Sequence, residues 1–175
     1  SSEMKSDTVI AVVVAILCML VYIRIRFSDI RFGVSSIAAL LHDVLVVLAF
    51  YAAAKVSVSN TFVACMLTIV GYSINATIVI FDRIRENMGI MTRKGDLKEV
   101  VNRSITQTIS RSIFTSLTTF IMVAVLYVMG VTSIRDFALP LMVGIICGAY
   151  SSICLAGGLW YVLRMKFVPK AKQEN

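Results

Sequence analysis

Three stretches of this chain set chargeable or hydrogen-bonding side chains inside runs of Val, Ile, Leu and Phe. GYSINATIVIFDRIREN, residues 71–87, is broken by Ser73, Asn75 and Thr77 and closes on Asp82, Arg83, Arg85 and Glu86. ISRSIFTSLTTF carries Arg111, Ser112, Thr115, Ser116 and Thr119. ALLHDVLVV holds His42 and Asp43. In hydrocarbon an amide must find a partner, and a carboxylate at a helix centre costs about 3 kcal/mol. Such groups point to ion or proton traffic, or to assembly between helices. Asp43 is a site candidate by default, with a bond to a neighbouring helix as the plainer use. Arg111 keeps its proton, so it can serve only as a fixed charge, either snorkelling to headgroups or turned toward the polar stripe of residues 71–87. His42 and Asp43 are consecutive and leave a helix about 100° apart, so they are not expected to pair, and a His/Asp dyad is unsupported.

Bond-making chemistry finds no residues. There is no nucleotide loop, metal ladder or nucleophile elbow. Cys18, Cys65, Cys147 and Cys154 lie in apolar runs without metal or redox spacing and read as small buried side chains. The expectation is no enzyme, no catalytic residue, no metal and no cofactor.

These groups need helices to position them. The chain has 175 residues, 58% hydrophobic and 15% charged, with mean hydropathy +0.87, the composition of an integral membrane protein. Five runs are long enough to span, at about residues 8–23, 32–54, 61–81, 113–134 and 137–163. Their continuity favours helices over strands. The expected fold is an all-α polytopic bundle, one unit over residues 1–170 with a short tail at 171–175. The connection 83–111 is expected to hold an amphipathic helix on the inner membrane face. There Leu97, Val100, Val101, Ile105 and Ile109 recur at helical spacing, opened by Asp96 with Glu99.

Helical spacing also groups Thr68, Gly71, Asn75 and Asp82 on one face, expected to look into the protein, with Gly71 admitting a close neighbour. Gly144 and Gly148 form GxxxG, continued by Ser151, Ser152, Gly157 and Gly158, a packing seam. Pro140 is expected to kink its helix. Of the 17 Lys and Arg, all but Lys5, Lys55 and Arg135 fall on one side of the proposed spans. The positive-inside rule then puts the N-terminus outside and the C-terminus in the cytoplasm. Net charge +7 is thereby assigned to topology and anionic lipid, not to nucleic acid. With no initial Met and no signal pattern, the chain reads as a piece of something longer.

GYSINATIVIFDRIREN resembles the SecF signature GYSxNDTxVxFDRIRE. ALLHDVLV, SRSIFTSLTTF and IRDFALPLMVGIICGAYSSI resemble further segments of that family, in order, over roughly residues 1–166. The resemblance implies the last five of six spans of an inner-membrane export subunit, following an extracytoplasmic domain. It implies SecD, the SecYEG channel, YidC and the preprotein as partners, proton motive force as the drive, and family roles for Asn75, Thr77, Asp82, Arg83 and Arg111. The signature departs at Ala76, where the family has a carboxylate. Three accounts follow: the SecD half holds the carrier, Asp43 substitutes, or the coupling ion differs. The first is preferred. A small-molecule or lipid exporter of the resistance-nodulation-division type and a structural scaffold for SecD are the alternatives.

Overall fold

The computed structural model describes residues 2–27, 29–56, 60–91, 96–130 and 132–167. They form α1 (Ser2–Phe27), α2 (Ile30–Ala54), α3 (Asn60–Met91), α4 (Leu97–Met129), α5 (Thr132–Tyr150), a π-helical segment (Ser151–Ala156) and α6 (Gly157–Phe167). The last three make one rod. Among the described residues, five helical stretches are long and apolar enough to cross a membrane, and the protein is an all-α multi-pass bundle. Short polar residues stop and start the chain. Asp29 accepts from the amide of Arg31 (3.0 Å) and Asp96 from that of Lys98 (3.3 Å). Lys55 closes α2 in the left-handed region (φ 52°), its amide bonded to the carbonyl of Tyr51.

Two apolar clusters hold the bundle. Phe27, Phe32, Phe81 and Trp160 join α1, α2, α3 and α6, with Phe32 stacked on Trp160 at 4.8 Å between ring centroids. Val47, Tyr51, Phe62, Met66, Ile69 and Ile145 join α2, α3 and α5. Helix α3 is central and α1 peripheral, its Val9, Val13, Leu17 and Val21 facing outward as lipid-facing residues should.

Several expectations need correction. The segment expected as a separate interfacial helix is helical but continues without a break into the fourth span, because nothing from Leu97 to Met129 is Gly or Pro. Helix α3 runs well past Phe81. The fifth rod is helical through Pro140, and its α geometry gives way to a π turn at Ser151–Ala156 that was not expected. Cys18 and Cys154 are exposed, not buried. The tail at 171–175 and the basic residues Arg93, Lys94, Lys170 and Lys172 lie outside the described residues.

Candidate functional site

Asp43 is fully buried at the meeting of α2, α3 and the π segment. Its two oxygens have different company. Oδ2 accepts from Ser73 Oγ at 2.5 Å and from Ser151 Oγ at 2.8 Å. Oδ1 faces His42 Nδ1 at 3.2 Å and Cys147 Sγ at 3.4 Å. One turn along, Thr77 Oγ1 and Ser152 Oγ are 3.1 Å apart, and Ser152 also donates to the carbonyl of Ser73 (3.3 Å). Ser73 and Thr77 are four residues apart and share a face of α3. The rod can approach that face because Gly148 lacks a side chain: a Cβ there would sit 3.5 Å from Ser73 Cβ and 3.7 Å from Asp43 Oδ2. The wider π turn then presents Ser151 and Ser152, consecutive in sequence, both to the interior. Asp43 thus bonds neighbouring helices, as expected of a buried carboxylate. The expected separation of His42 from Asp43 is wrong. Their Cβ atoms diverge, but the imidazole is long enough to swing its Nδ1 back to the carboxylate.

A second polar locus lies on the outer flank of the bundle. Tyr72, Asn75, Ala76, Arg111, Thr115 and Ser116 line a groove between α3 and α4 of about 100 Å³. Tyr72 Oη donates to Ser116 Oγ at 2.6 Å, and Thr115 returns its hydroxyl to the carbonyl of Arg111 at 2.8 Å. Asn75, Arg111 and Thr115 are exposed, as is Thr68. The face expected to look inward therefore looks outward, and a Cβ on Gly71 would meet nothing within 4 Å. The buried polar face, Ser73 and Thr77, lies two residues on, about 200° around the helix. Of the expected polar seam, Asn75, Arg111 and Thr115 come together, while Asp43 and Thr77 belong to the separate interior locus.

The charged end of α3 is a clamp. Asp82 pairs with Arg26 at 2.8 Å, and Arg85 donates to the carbonyl of Arg26 at 2.9 Å. Arg83 binds Gln107 (2.7 Å) and Glu86 (2.6 Å), and Asn87 binds Ser104 (2.8 Å) and Gln107 (2.9 Å). Arg83 and Arg85 are engaged within the chain and tie α3 to α4 and α1. Sequence reasoning missed Asn87, Ser104 and Gln107, and it missed Ser73, Cys147 and Ser151 as neighbours of Asp43. The Ser73–Thr77 spacing was the one local signal.

Comparison with known proteins fits this architecture. The family described as protein export membrane protein SecD/SecF, C-terminal, matches residues 1–166. The chain is 50% identical over 177 residues to the protein translocase subunit SecF of Alicyclobacillus acidocaldarius, covering 100% of this chain and 57% of that one. It is 41% identical over 160 residues to the protein translocase subunit SecDF of Bacillus subtilis, 90% of this chain and 22% of that one. The crystal structure of SecDF from Thermus thermophilus, described as a translocon-associated membrane protein, superposes with TM-score 0.86 at 45% identity, covering 93% of this chain and 22% of that one. The chain thus spans little more than half the length of the SecF relative.

Proposed function

The chain belongs to the SecD/SecF family of protein export membrane proteins, and from that premise we propose that it is the membrane part of a SecF-type subunit. In this reading it works with SecD to draw preproteins through the SecYEG channel, driven by the proton motive force across the bacterial inner membrane. The observation that carries the reading is the exposed groove of Asn75, Arg111 and Thr115 on helices apolar enough to span. Acyl chains offer neither an amide nor a guanidinium a partner. A second protein with polar groups at the same depth does. SecD is the fitting candidate, and the relatives from Bacillus subtilis and Thermus thermophilus are named SecDF.

Ala76 lines the same groove, at the position where the family pattern has a carboxylate, and alanine cannot bind a proton. The proton-carrying carboxylate is therefore assigned to the SecD half, facing Arg111 as fixed charge. Asp43 and Thr77 pin the interior.

The test is export of a secreted reporter, with and without a protonophore, in cells whose own subunit is replaced. Arg111→Ala should remove the protonophore-sensitive part of export. Neutralising the intramembrane carboxylates of SecD should do the same, and Ala76→Asp should then restore part of it. Proton-coupled export that persists with Ala76 in place and every such SecD carboxylate removed sinks the assignment. Ala76 favours one second reading, a scaffold that only stabilises SecD. On that reading, losing the subunit lowers the amount of SecD, and Arg111→Ala leaves protonophore sensitivity unchanged.

A further inference from the structure

His42 Nδ1, Asp43 Oδ1 and Cys147 Sγ all lie within 4.8 Å of one another, although 104 residues separate the carboxylate from the thiol. The three edges of this triangle are 3.2 Å (His42 to Asp43), 3.4 Å (Cys147 to Asp43) and 3.8 Å (Cys147 to His42). A tetrahedral zinc ion, with bonds of about 2.0–2.3 Å, holds N, O and S ligands roughly 3.3–3.6 Å apart. Each edge is within a few tenths of an ångström of that range. We propose that His42, Asp43 and Cys147 form an intramembrane site for a borderline-soft divalent cation, with Zn²⁺ the best fit. The proposal is independent of the export role.

Four features beyond spacing support it. The ligand set, one imidazole, one carboxylate and one thiolate, suits Zn²⁺ and disfavours Mg²⁺ and Ca²⁺, which prefer oxygen. Its charge also suits the place. A doubly charged cation with one carboxylate and one thiolate makes a neutral cluster, the arrangement least costly in a low-dielectric interior. The carboxylate is already oriented: Ser73 and Ser151 both bind Oδ2, so Oδ1 is left for His42 and Cys147. That is how ligating carboxylates are usually held from behind. Access is available, because His42 is 39% exposed and Cys147 is partly exposed while Asp43 is buried. On binding, the Cys147 thiol releases its proton to water as the Zn–S bond forms. The fourth position is left for water. An ion there cross-links α2 to α5 and occupies the Asp43 carboxylate.

The probe is Co²⁺, titrated into the metal-stripped full chain in detergent, followed by displacement with Zn²⁺. The wild-type chain should develop a saturable thiolate-to-metal absorption in the near ultraviolet, at one ion per chain, that Zn²⁺ abolishes. Cys147→Ser should remove the band. His42→Gln should weaken Zn²⁺ by about tenfold or more, and Ser151→Ala, which among the three ligands touches only the carboxylate, by about tenfold. Cys154→Ser, on the same rod but outside the triangle, should keep the band. Thermal unfolding gives a second readout: Zn²⁺ should raise the midpoint of the wild type and of Cys154→Ser and leave Cys147→Ser unmoved. A wild type without a saturable band, a band that survives Cys147→Ser, or equal loss in Cys154→Ser overturns the site.

Discussion

Asp43 serves as acceptor for two serines on two different helical segments, so its replacements separate charge from hydrogen bonding. Asp43→Asn keeps an acceptor oxygen, whereas Asp43→Leu leaves both hydroxyls facing a methyl group. An unsatisfied buried polar group costs about 1–3 kcal/mol. Ser151 recovers part of that through the carbonyl of Gly148 at 3.3 Å. The leucine variant should therefore be less stable than the asparagine variant by about 1–2 kcal/mol, read from thermal unfolding in detergent. Equal stabilities would mean the serines do not depend on the carboxylate. The importance of Asp43 was legible because a carboxylate in an apolar run must be answered from a neighbouring helix. Its neighbours were not, since Ser73, Cys147 and Ser151 are ordinary small residues until the bundle closes. Asn75 shows the opposite failure. Periodicity groups side chains on a face, but it does not say which face the other helices cover.

At the scale of helices, two glycines read alike in sequence behave differently. A Cβ on Gly144 would stand 2.5 Å from Ile69 Cδ1 and 2.6 Å from its Cγ1, whereas one on Gly71 would meet nothing within 4 Å. Gly144→Ala should destabilise the bundle by about 1–3 kcal/mol through overpacking, and Ile69→Ala in the same chain should relieve part of that loss. Gly71→Ala should be neutral or gain up to about 1 kcal/mol from helix propensity. Chemical or thermal unfolding of the three variants beside the parent checks this, and a Gly144→Ala chain as stable as the parent would remove the seam. GxxxG was readable because two small residues one turn apart recur on one face. The continuity of α4 was not. The spacing of Leu97, Val100, Val101 and Ile105 is the same whether the helix ends at the membrane surface or runs into the span. The π turn at Ser151–Ala156 changes the helix pitch without any Gly or Pro inside it to announce the change.

For the whole molecule, charge and exposure divide the surface into functional sides. Arg26, Asp82, Arg83, Arg85 and Asn87 gather with Gln107 at one end of the bundle, while Lys55 and Arg135 belong to the other. An odd number of spans with this asymmetry should place tags on the two termini on opposite faces, the C-terminal tag cytoplasmic. Protease protection in sealed vesicles reads this directly, and tags on one face would sink the topology. The flanks divide as well. Helix α1 turns Val13, Val14, Leu17 and Val21 outward, as lipid-facing residues would. The α3–α4 flank exposes Asn75, Arg111 and Thr115 instead, a surface that is costly against acyl chains and cheap against another polar helix. Introduced cysteines distinguish the two environments, in a chain whose Cys18, Cys147 and Cys154 are replaced by serine and whose remaining native thiol, Cys65, is buried. Asn75→Cys and Thr115→Cys should cross-link to SecD when the two are made together, whereas Val14→Cys should not and should react only with lipid-borne reagents. If Asn75→Cys instead labels from the acyl phase as readily as Val14→Cys, the groove faces lipid and the case for a partner helix on that flank is lost.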